Sequence, residues 1–187
     1  MHPALFYRPG DRLTLAELSA ARLDGVVIEV GEGFMPVDTV EEADARALGV
    51  AMLIPRGTAA CGPTAAWIHG AGDAPPAVHH IRRVSAARMR VTPRARVIYH
   101  DRRAAQDAVA DVGGIPVTTP EATASELLYA AALDQRDDHW VNALLQARPE
   151  LLGSLEDELA RATRRPGRRA AAQILQAVRA SQDVVTR

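Results

Sequence analysis

The chain has 187 residues and a formal net charge of −1, and all 22 of its basic residues are arginine. Because lysine is absent, the sequence excludes a phosphate-binding P-loop, Schiff-base chemistry and the usual metal-dependent endonuclease site with its lysine. The single cysteine, Cys61, excludes an intramolecular disulfide and a zinc site built on cysteines.

The first predicted elements are a helix and a hairpin. Thr14 and Glu17 form a capping-box pattern, which begins a helix that ends near Leu23. Residues 26–30 and 34–37 are short apolar runs on either side of Gly-Glu-Gly, which is typical of a tight turn between antiparallel strands. We therefore expect one helix followed by one β-hairpin.

Two more helices are expected before the middle of the chain. A second capping-box pattern, Thr39 with Glu42, begins a helix over residues 40–54, which a proline ends. Pro63 at the first helical position predicts a short helix that stops at Gly70. A loop then leads to the central segment.

A sheet is expected in the central segment. Short β-branched runs alternate there with arginine, which predicts strands whose arginines lie on the solvated face. The predicted strands are residues 78–84, 88–91, 95–100, 109–112 and 115–118. Gly113 and Gly114 separate the last two strands as a two-residue hairpin turn.

Helices alone are expected after Thr118. The predicted helices are residues 121–133, 138–147, 155–164 and 168–178. The fold class is therefore α+β, with a small head, a central antiparallel sheet with a helix, and a C-terminal helical cluster. No segment approaches the roughly 18 apolar residues of a membrane span, so we expect a soluble, cytoplasmic protein.

Arginine is concentrated in the predicted sheet, where Asp101 is the one acid among eight arginines. A guanidinium stays charged at physiological pH, and its planar set of donors fits phosphate. We predict contacts with the phosphates of double-stranded DNA from Arg82, Arg83, Arg88, Arg90, Arg94, Arg96, Arg102 and Arg103. An acidic protein partner would fit the same surface. Pairing with the acidic segment 24–44 would instead leave the arginines as a solvated face.

Four residues of metal-ligand type lie close together in the sequence: His79, His80, His100 and Asp101. Because successive strand residues point to opposite faces, His79 and His80 cannot both reach one ion, and we expect structural or surface roles. A metal-dependent enzyme built on these residues is kept as an alternative. The sequence has no glycine-rich phosphate loop and no Gly-x-Ser-x-Gly elbow, so we predict no catalytic residues, no metal and no cofactor.

Five short motifs carry a resemblance to a known family. They are LAEL at 15–18, ARLDG at 21–25, GFMP at 33–36, TAAWIHG at 64–70 and GGIPVTTPE at 113–121. In these motifs the chain resembles the AbiEi family of antitoxins, the antitoxin half of type IV toxin–antitoxin (abortive infection) systems, in its actinobacterial form. The resemblance covers most of the chain, from about Leu13 to Arg169.

The resemblance implies an N-terminal winged helix-turn-helix that binds promoter DNA, a C-terminal α/β domain, and negative autoregulation of an operon for a nucleotidyltransferase-like toxin. The front of this sequence departs from that pattern. About a dozen residues precede the helix at Thr14, and the helix and wing carry acids that would repel phosphate. We therefore expect residues 1–55 to form a truncated winged-helix-like segment and residues 56–187 to form the AbiEi-type α+β domain.

The prediction as a whole is a non-enzymatic, antitoxin-like transcriptional regulator. It binds double-stranded DNA of its own promoter region through the central arginines. The first alternative is a protein-interaction module that neutralises an acidic toxin without binding DNA, and the second is the metal-dependent enzyme. Three results distinguish these hypotheses. The regulator binds a duplex with strong salt dependence, the interaction module co-purifies with the product of a neighbouring gene, and the enzyme retains a metal through purification.

Overall fold

The computed structural model describes residues 5–88, 94–134, 138–162 and 164–185. Those residues form seven α-helices and two β-sheets, which confirms the α+β class. The helices are α1 (Leu15–Leu23), α2 (Ala43–Val50), α3 (Gly62–Ile68), α4 (Pro120–Asp134), α5 (His139–Ala147), α6 (Leu151–Arg161) and α7 (Arg168–Val185). The strands are β1 (Val27–Val30), β2 (Gly33–Pro36), β3 (Thr58–Ala60), β4 (His79–Arg83), β5 (Val97–His100), β6 (Val109–Val112) and β7 (Ile115–Thr118).

The head, residues 5–55, has the order helix, hairpin, helix, consistent with a small winged-helix-like fold. The predicted capping box is present, because the Thr14 N–H donates to the Glu17 carboxylate over 2.7 Å and the Glu17 N–H donates to the Thr14 hydroxyl over 3.2 Å. A Cβ at Gly31 would lie 2.8 Å from the Gly49 carbonyl oxygen. Glycine therefore lets the predicted hairpin, β1 and β2, pack directly on α2.

Helix α2 is shorter than the predicted helix over residues 40–54. It begins after Glu42, which makes no side-chain cap hydrogen bond, so the predicted Thr39–Glu42 capping box is wrong. The Thr39 N–H instead donates to the Pro36 carbonyl over 3.1 Å in a turn that leaves β2, and the helix starts only after that turn. A 3₁₀ turn, Ala51–Leu53, follows the helix.

The central sheet has five strands in the order β5-β4-β3-β7-β6. The predicted antiparallel pairing is present between β3 and β4, and between β6 and β7, where Val112 pairs with Ile115 across the glycine turn. The pairs β3–β7 and β4–β5 are parallel, so the sheet is mixed rather than wholly antiparallel. The connection over residues 84–96 is long enough to bring β5 back to the starting end of β4. The predicted strand at 88–91 lies largely outside the described residues.

Strand β3 is at the centre of the sheet and is absent from the sequence prediction. It has three residues, two of them alanine, which has a low preference for strands. Ala60 lies opposite Ile81 of β4 on one side and Val117 of β7 on the other. All three strand residues are buried. Pairing with distant segments therefore makes this strand, rather than a local sequence signal.

The C-terminal helices are present as predicted, with different ends. Helix α6 begins at Leu151, four residues earlier than predicted, because Leu151 and Leu155 lie one turn apart on the same buried face. Helix α7 runs to Val185, beyond the predicted end at residue 178. None of the described helices has both the length and the apolar character that crossing a bilayer requires.

Two large groups of buried side chains hold these elements together, and a small third group, with Leu18 of α1 and Phe34 of β2, lies within the head. One fills the helical cluster and includes Leu128 of α4 and Leu145 of α5. The other lies between the head and the central sheet, where Met35 packs in one cluster with Trp67 and Val117. Burying such large apolar side chains is the dominant stabilising contribution. The head and the sheet therefore share one core.

Candidate nucleic-acid interface

Strand β4 carries two of the eight predicted arginines, and as neighbours in a strand they point to opposite faces of the sheet. Arg82 forms an ion pair with Glu126 of α4, and the two side chains are 19% and 24% exposed. Burial raises the pKa of Glu126, and the positive charge of Arg82 opposes that rise. The charge of Arg82 is thus already balanced within the protein.

Arg83 ties the end of β4 to the end of β5. Its Nε lies 3.1 Å from the Asp101 carboxylate and donates to the Asp101 carbonyl over 3.0 Å. Its NH1 donates to the Ser85 carbonyl over 3.0 Å. The side chain is 13% exposed. Arg83 therefore has a structural role in holding the chain that leaves β4.

Arg94 and Arg96 lie in the chain that enters β5, and both contact the head. Arg94 donates to the Met52 carbonyl over 2.9 Å. Arg96 forms an ion pair with Glu32 of the hairpin turn, and its backbone has φ +64°, a region that residues other than glycine seldom occupy. The predicted pairing of acidic and basic segments therefore occurs at Arg96.

Arg88, Arg102 and Arg103 are the most open of the predicted arginines. The Arg88 side chain is 89% exposed, and its Nε lies 3.8 Å from Asp101. Arg103 uses its Nε to donate to the Val84 carbonyl over 3.0 Å. Within the described residues, neither Arg102 nor Arg103 forms an ion pair. Arg90 lies outside the described residues.

The seven predicted arginines that the structure describes are therefore divided by their environment. Three are committed to internal ion pairs: Arg82, Arg83 and Arg96. Four are exposed and keep N–H groups that could donate to phosphate oxygens: Arg88, Arg94, Arg102 and Arg103. We call these four residues the exposed arginine set. Exposed guanidinium groups of this kind contact phosphates without reading base sequence.

The four residues of metal-ligand type do not converge. His80 and His100 face each other, with Nδ1 of His80 3.1 Å from Nε2 of His100. The Asp101 carboxylate is engaged by Arg83. Nδ1 of His79 is buried without a hydrogen-bond partner among the described residues. The described part of the chain contains no group of three or more histidine, cysteine or acidic side chains arranged to hold a metal ion.

Two further buried groups are structural rather than reactive. His69 donates its Nε2–H to the Thr118 carbonyl over 2.6 Å, and burial lowers its pKa. Burial raises the pKa of the Cys61 thiol to about 12, so the nucleophilic thiolate does not form at physiological pH. Burial together with the neighbouring His100 lowers the pKa of His80 to about 4, so this imidazole is neutral at pH 7.

Comparison with known proteins settles the family. The family model described as AbiEi antitoxin C-terminal domain matches residues 58–177, which is 120 of the 187 residues. The chain belongs to the AbiEi antitoxin family. The predicted membership of the AbiEi family is confirmed, and the family supports the function of an antitoxin in a toxin–antitoxin system, with a toxin as its partner. AbiEi antitoxins are not an enzyme family. No curated protein matches the chain significantly.

The sequence analysis did not predict which residues the arginines contact. Glu126 lies 44 residues from Arg82 in the chain, and no local pattern links the two. Arg165 lies 3.4 Å from the ring centroid of Tyr129 and donates to Glu158, again through contacts between separate helices and loops. The AbiEi match contains the whole exposed arginine set but carries no information about these contacts.

Proposed function

We propose that this AbiEi antitoxin binds double-stranded DNA of its own promoter and represses its operon, as the antitoxin of a type IV system. It acts in the cytoplasm without catalysing a reaction, and its toxin is nucleotidyltransferase-like. One observation carries the DNA proposal: the exposed arginine set lies within residues 58–177, on loops beside strands β4 and β5. Loop arginines can reach the backbone of a duplex without disturbing the sheet.

The state of the buried thiol and of the paired histidines favours a role in phosphate contact rather than in catalysis. The thiol of Cys61 is held in its protonated form, and His80 and His100 bond to each other. An exposed arginine that neutralises a phosphate releases a condensed counterion, so binding is favoured at low salt. The proposed division of labour assigns DNA contact to residues 56–187, with residues 1–55 as a truncated winged-helix-like segment packed on them.

The test is the binding of the purified chain to a labelled duplex from its own upstream region, measured by fluorescence anisotropy. With four arginine–phosphate contacts, affinity should fall roughly 150-fold between about 50 and 200 mM salt. An unrelated duplex of equal length serves as the competitor. Absence of binding at the lower salt would sink the proposal. Equal competition by the unrelated duplex would show that the protein does not recognise a specific operator sequence.

A protein-docking role is the second candidate, and one observation favours it. Ile98, on the edge strand β5, is 44% exposed, and Met52, whose carbonyl accepts from Arg94, is 70% exposed. Apolar side chains beside arginine are typical of protein interfaces. This role predicts a stable complex with the toxin of the same operon in gel filtration. The Met52→Ser and Ile98→Ser substitutions should weaken that complex and leave duplex binding unchanged.

A further inference from the structure

A groove of about 700 Å³ lies beside helix α4. One wall is helix α4, and the other is the chain that leaves β5, at Arg102 and Arg103. The loop between α6 and α7, at Arg165, closes one end. A volume of this size is in the range of sites that hold a whole small molecule.

The groove has more positive charge than its acids balance. Glu126 is paired with Arg82, and Glu158 is paired with Arg165 over 2.5 Å. Arg102 and Arg103 line the same groove and form no ion pair within the described residues. Glu121 is the third carboxylate on its walls. Four arginines against three glutamates leave the groove with one positive charge in excess, which favours an anionic ligand.

Two polar atoms on the walls also lack the hydrogen bonds that buried groups normally make. The Tyr129 hydroxyl and the Arg82 Nε are buried, and neither has a partner among the described residues. Tyr129 as a residue is 5% exposed. A buried polar group without a partner is unusual in a native fold and calls for an explanation. Both groups can donate, so an oxygen-rich ligand would satisfy both.

Arg165 lies over the Tyr129 ring where it lines the groove. Its guanidinium lies 3.4 Å from the centroid of the Tyr129 ring and covers it, while its side chain remains 45% exposed. A phosphoryl group offers acceptors in several directions, which suits donors that come from both walls and from the covering arginine. Ala122 and Leu133 supply an apolar surface for the organic part of such a ligand.

We propose that this groove binds the phosphoryl group of a phosphorylated ligand, through the Tyr129 hydroxyl and the guanidinium groups of Arg102 and Arg103. The ligand is either a free nucleotide or the phosphorylated end of a single strand, which share this chemistry. The site shares Arg102 and Arg103 with the proposed duplex-binding residues. It does not depend on duplex binding, because Tyr129 belongs to the groove and not to the exposed arginine set.

The experiment is isothermal titration calorimetry of the full chain with inorganic pyrophosphate. Tyr129→Phe removes one hydroxyl and should lower the affinity about tenfold, as expected for a lost hydrogen bond to a charged group. Arg102→Ala should lower it by a similar factor. The matched controls remove the same groups elsewhere: Tyr99→Phe for the hydroxyl and Arg179→Ala for the charge. Both should stay within about twofold of the wild type.

Thermal unfolding establishes that Tyr129→Phe folds, and its midpoint should equal or exceed that of the wild type because the removed hydroxyl makes no hydrogen bond to any residue that the structure describes. Binding of AMP identifies a free nucleotide as the source of the phosphoryl group. A preference for a 5′-phosphorylated over an unphosphorylated short strand identifies a strand end. Lack of pyrophosphate binding at millimolar concentration overturns the proposal, and so does an equal loss in Tyr99→Phe and Tyr129→Phe.

Duplex binding measured on the same variants separates this inference from the proposed function. Tyr129→Phe should bind the promoter duplex as the wild type does. If the duplex binds and pyrophosphate does not, the groove proposal fails and the function stands. If pyrophosphate binds and the duplex does not, the function fails and the groove proposal stands.

Discussion

The two arginines of strand β4 and the two arginines that follow strand β5 share a residue type and a sequence neighbourhood, but they differ in environment. Arg82 and Arg83 are mostly buried and bonded to carboxylates. Arg102 and Arg103 are exposed, and within the described residues neither has an ion pair. The comparison teaches that the density of arginine in a sequence locates a basic region, while the secondary structure decides which of its residues can bind a ligand.

A strand fixes its side chains against whatever packs on each face. Arg82 faces α4, so its charge must be matched there, and Glu126 supplies the match. The chain after β5 lies across a groove from α4, and Arg102 there is exposed. Desolvating a guanidinium is costly unless it is paired, and a solvated one is ready for phosphate.

The largest expected effect comes from breaking the buried pair. Arg82→Ala would leave the Glu126 carboxylate in a half-buried position without its cation, and should lower the free energy of unfolding by about 2–3 kcal/mol. Urea denaturation measures this loss. Because a well-packed apolar pair often replaces an ion pair without loss, Arg82→Met combined with Glu126→Leu should return close to the wild-type value.

The exposed Arg88 serves as the matched control for that series, because its loose contact with Asp101 contributes little. Arg88→Ala should change the free energy of unfolding by less than about 0.5 kcal/mol. If Arg82→Ala and Arg88→Ala were equally tolerated, the distinction between strand-borne and loop-borne arginines would be wrong.

The second effect is on binding rather than stability. Arg102→Ala combined with Arg103→Ala should leave urea denaturation unchanged and weaken duplex binding by about 2 kcal/mol, or roughly 30-fold, since each lost phosphate contact is a lost charge-assisted hydrogen bond. Anisotropy titrations at one fixed salt concentration measure the change. A loss of stability as large as that of Arg82→Ala would show that these arginines stabilise the fold and would contradict their assignment to DNA binding.

The third effect is on the pH dependence of stability. Burial lowers the pKa of His69, His80 and His100, that of His80 to about 4. The unfolded chain, with histidine pKa values near 6.5, therefore binds more protons than the folded chain between those values. The contribution is fully present above about pH 6.5 and is lost as the pH falls. Urea denaturation at pH 7 and pH 5 should differ by about 1 kcal/mol.

Variants at the histidine pair test the origin of that dependence. His80→Gln with His100→Gln should flatten the profile between pH 7 and pH 5. Glu126 acts in the opposite direction, because a carboxyl with a raised pKa holds its proton more tightly in the folded state. A free energy that rises toward pH 5 would show that Glu126, and not the histidines, dominates.

The smallest effect is expected at the contact between the arginine region and the head. Arg96 pairs with Glu32, and both side chains are about half exposed, so Arg96→Ala should change the free energy of unfolding by less than about 0.5 kcal/mol. Thermal unfolding at low and high salt measures it. A larger loss that vanishes at high salt would show that this pair fastens the hairpin to the sheet.

Sequence alone was sufficient for two local signals, although the equally local Thr39–Glu42 pattern failed. The capping box at Thr14 and the Gly113-Gly114 turn are each defined by residues a few positions apart, and both are present. Strand β3 was missed because its alanines favour no strand, and its pairing with Ile81 and Val117 is long-range. The parallel pairs were missed for the same reason, since their direction depends on the path of the connecting chain.

The candidate interface was predictable only in part. The sequence located the basic region and the AbiEi family, and it correctly separated the directions of His79 and His80. It could not divide the eight arginines, because the carboxylate that neutralises Arg82 comes from α4, and the one that pairs with Arg96 comes from the hairpin. Ion pairs between elements distant in the chain leave no pattern in a single sequence.

The salt dependence of duplex binding tests the central claim most directly, when it is measured for three proteins. A plot of log K against log salt should have a slope of about −3.6 for the wild type, from four phosphate contacts. It should become shallower by about 1.8 in Arg102→Ala with Arg103→Ala, and stay unchanged in Arg161→Ala with Arg179→Ala, which removes equal charge from α6 and α7. Equal slopes in all three proteins, or no salt dependence at all, would contradict the assignment of DNA binding to the exposed arginine set.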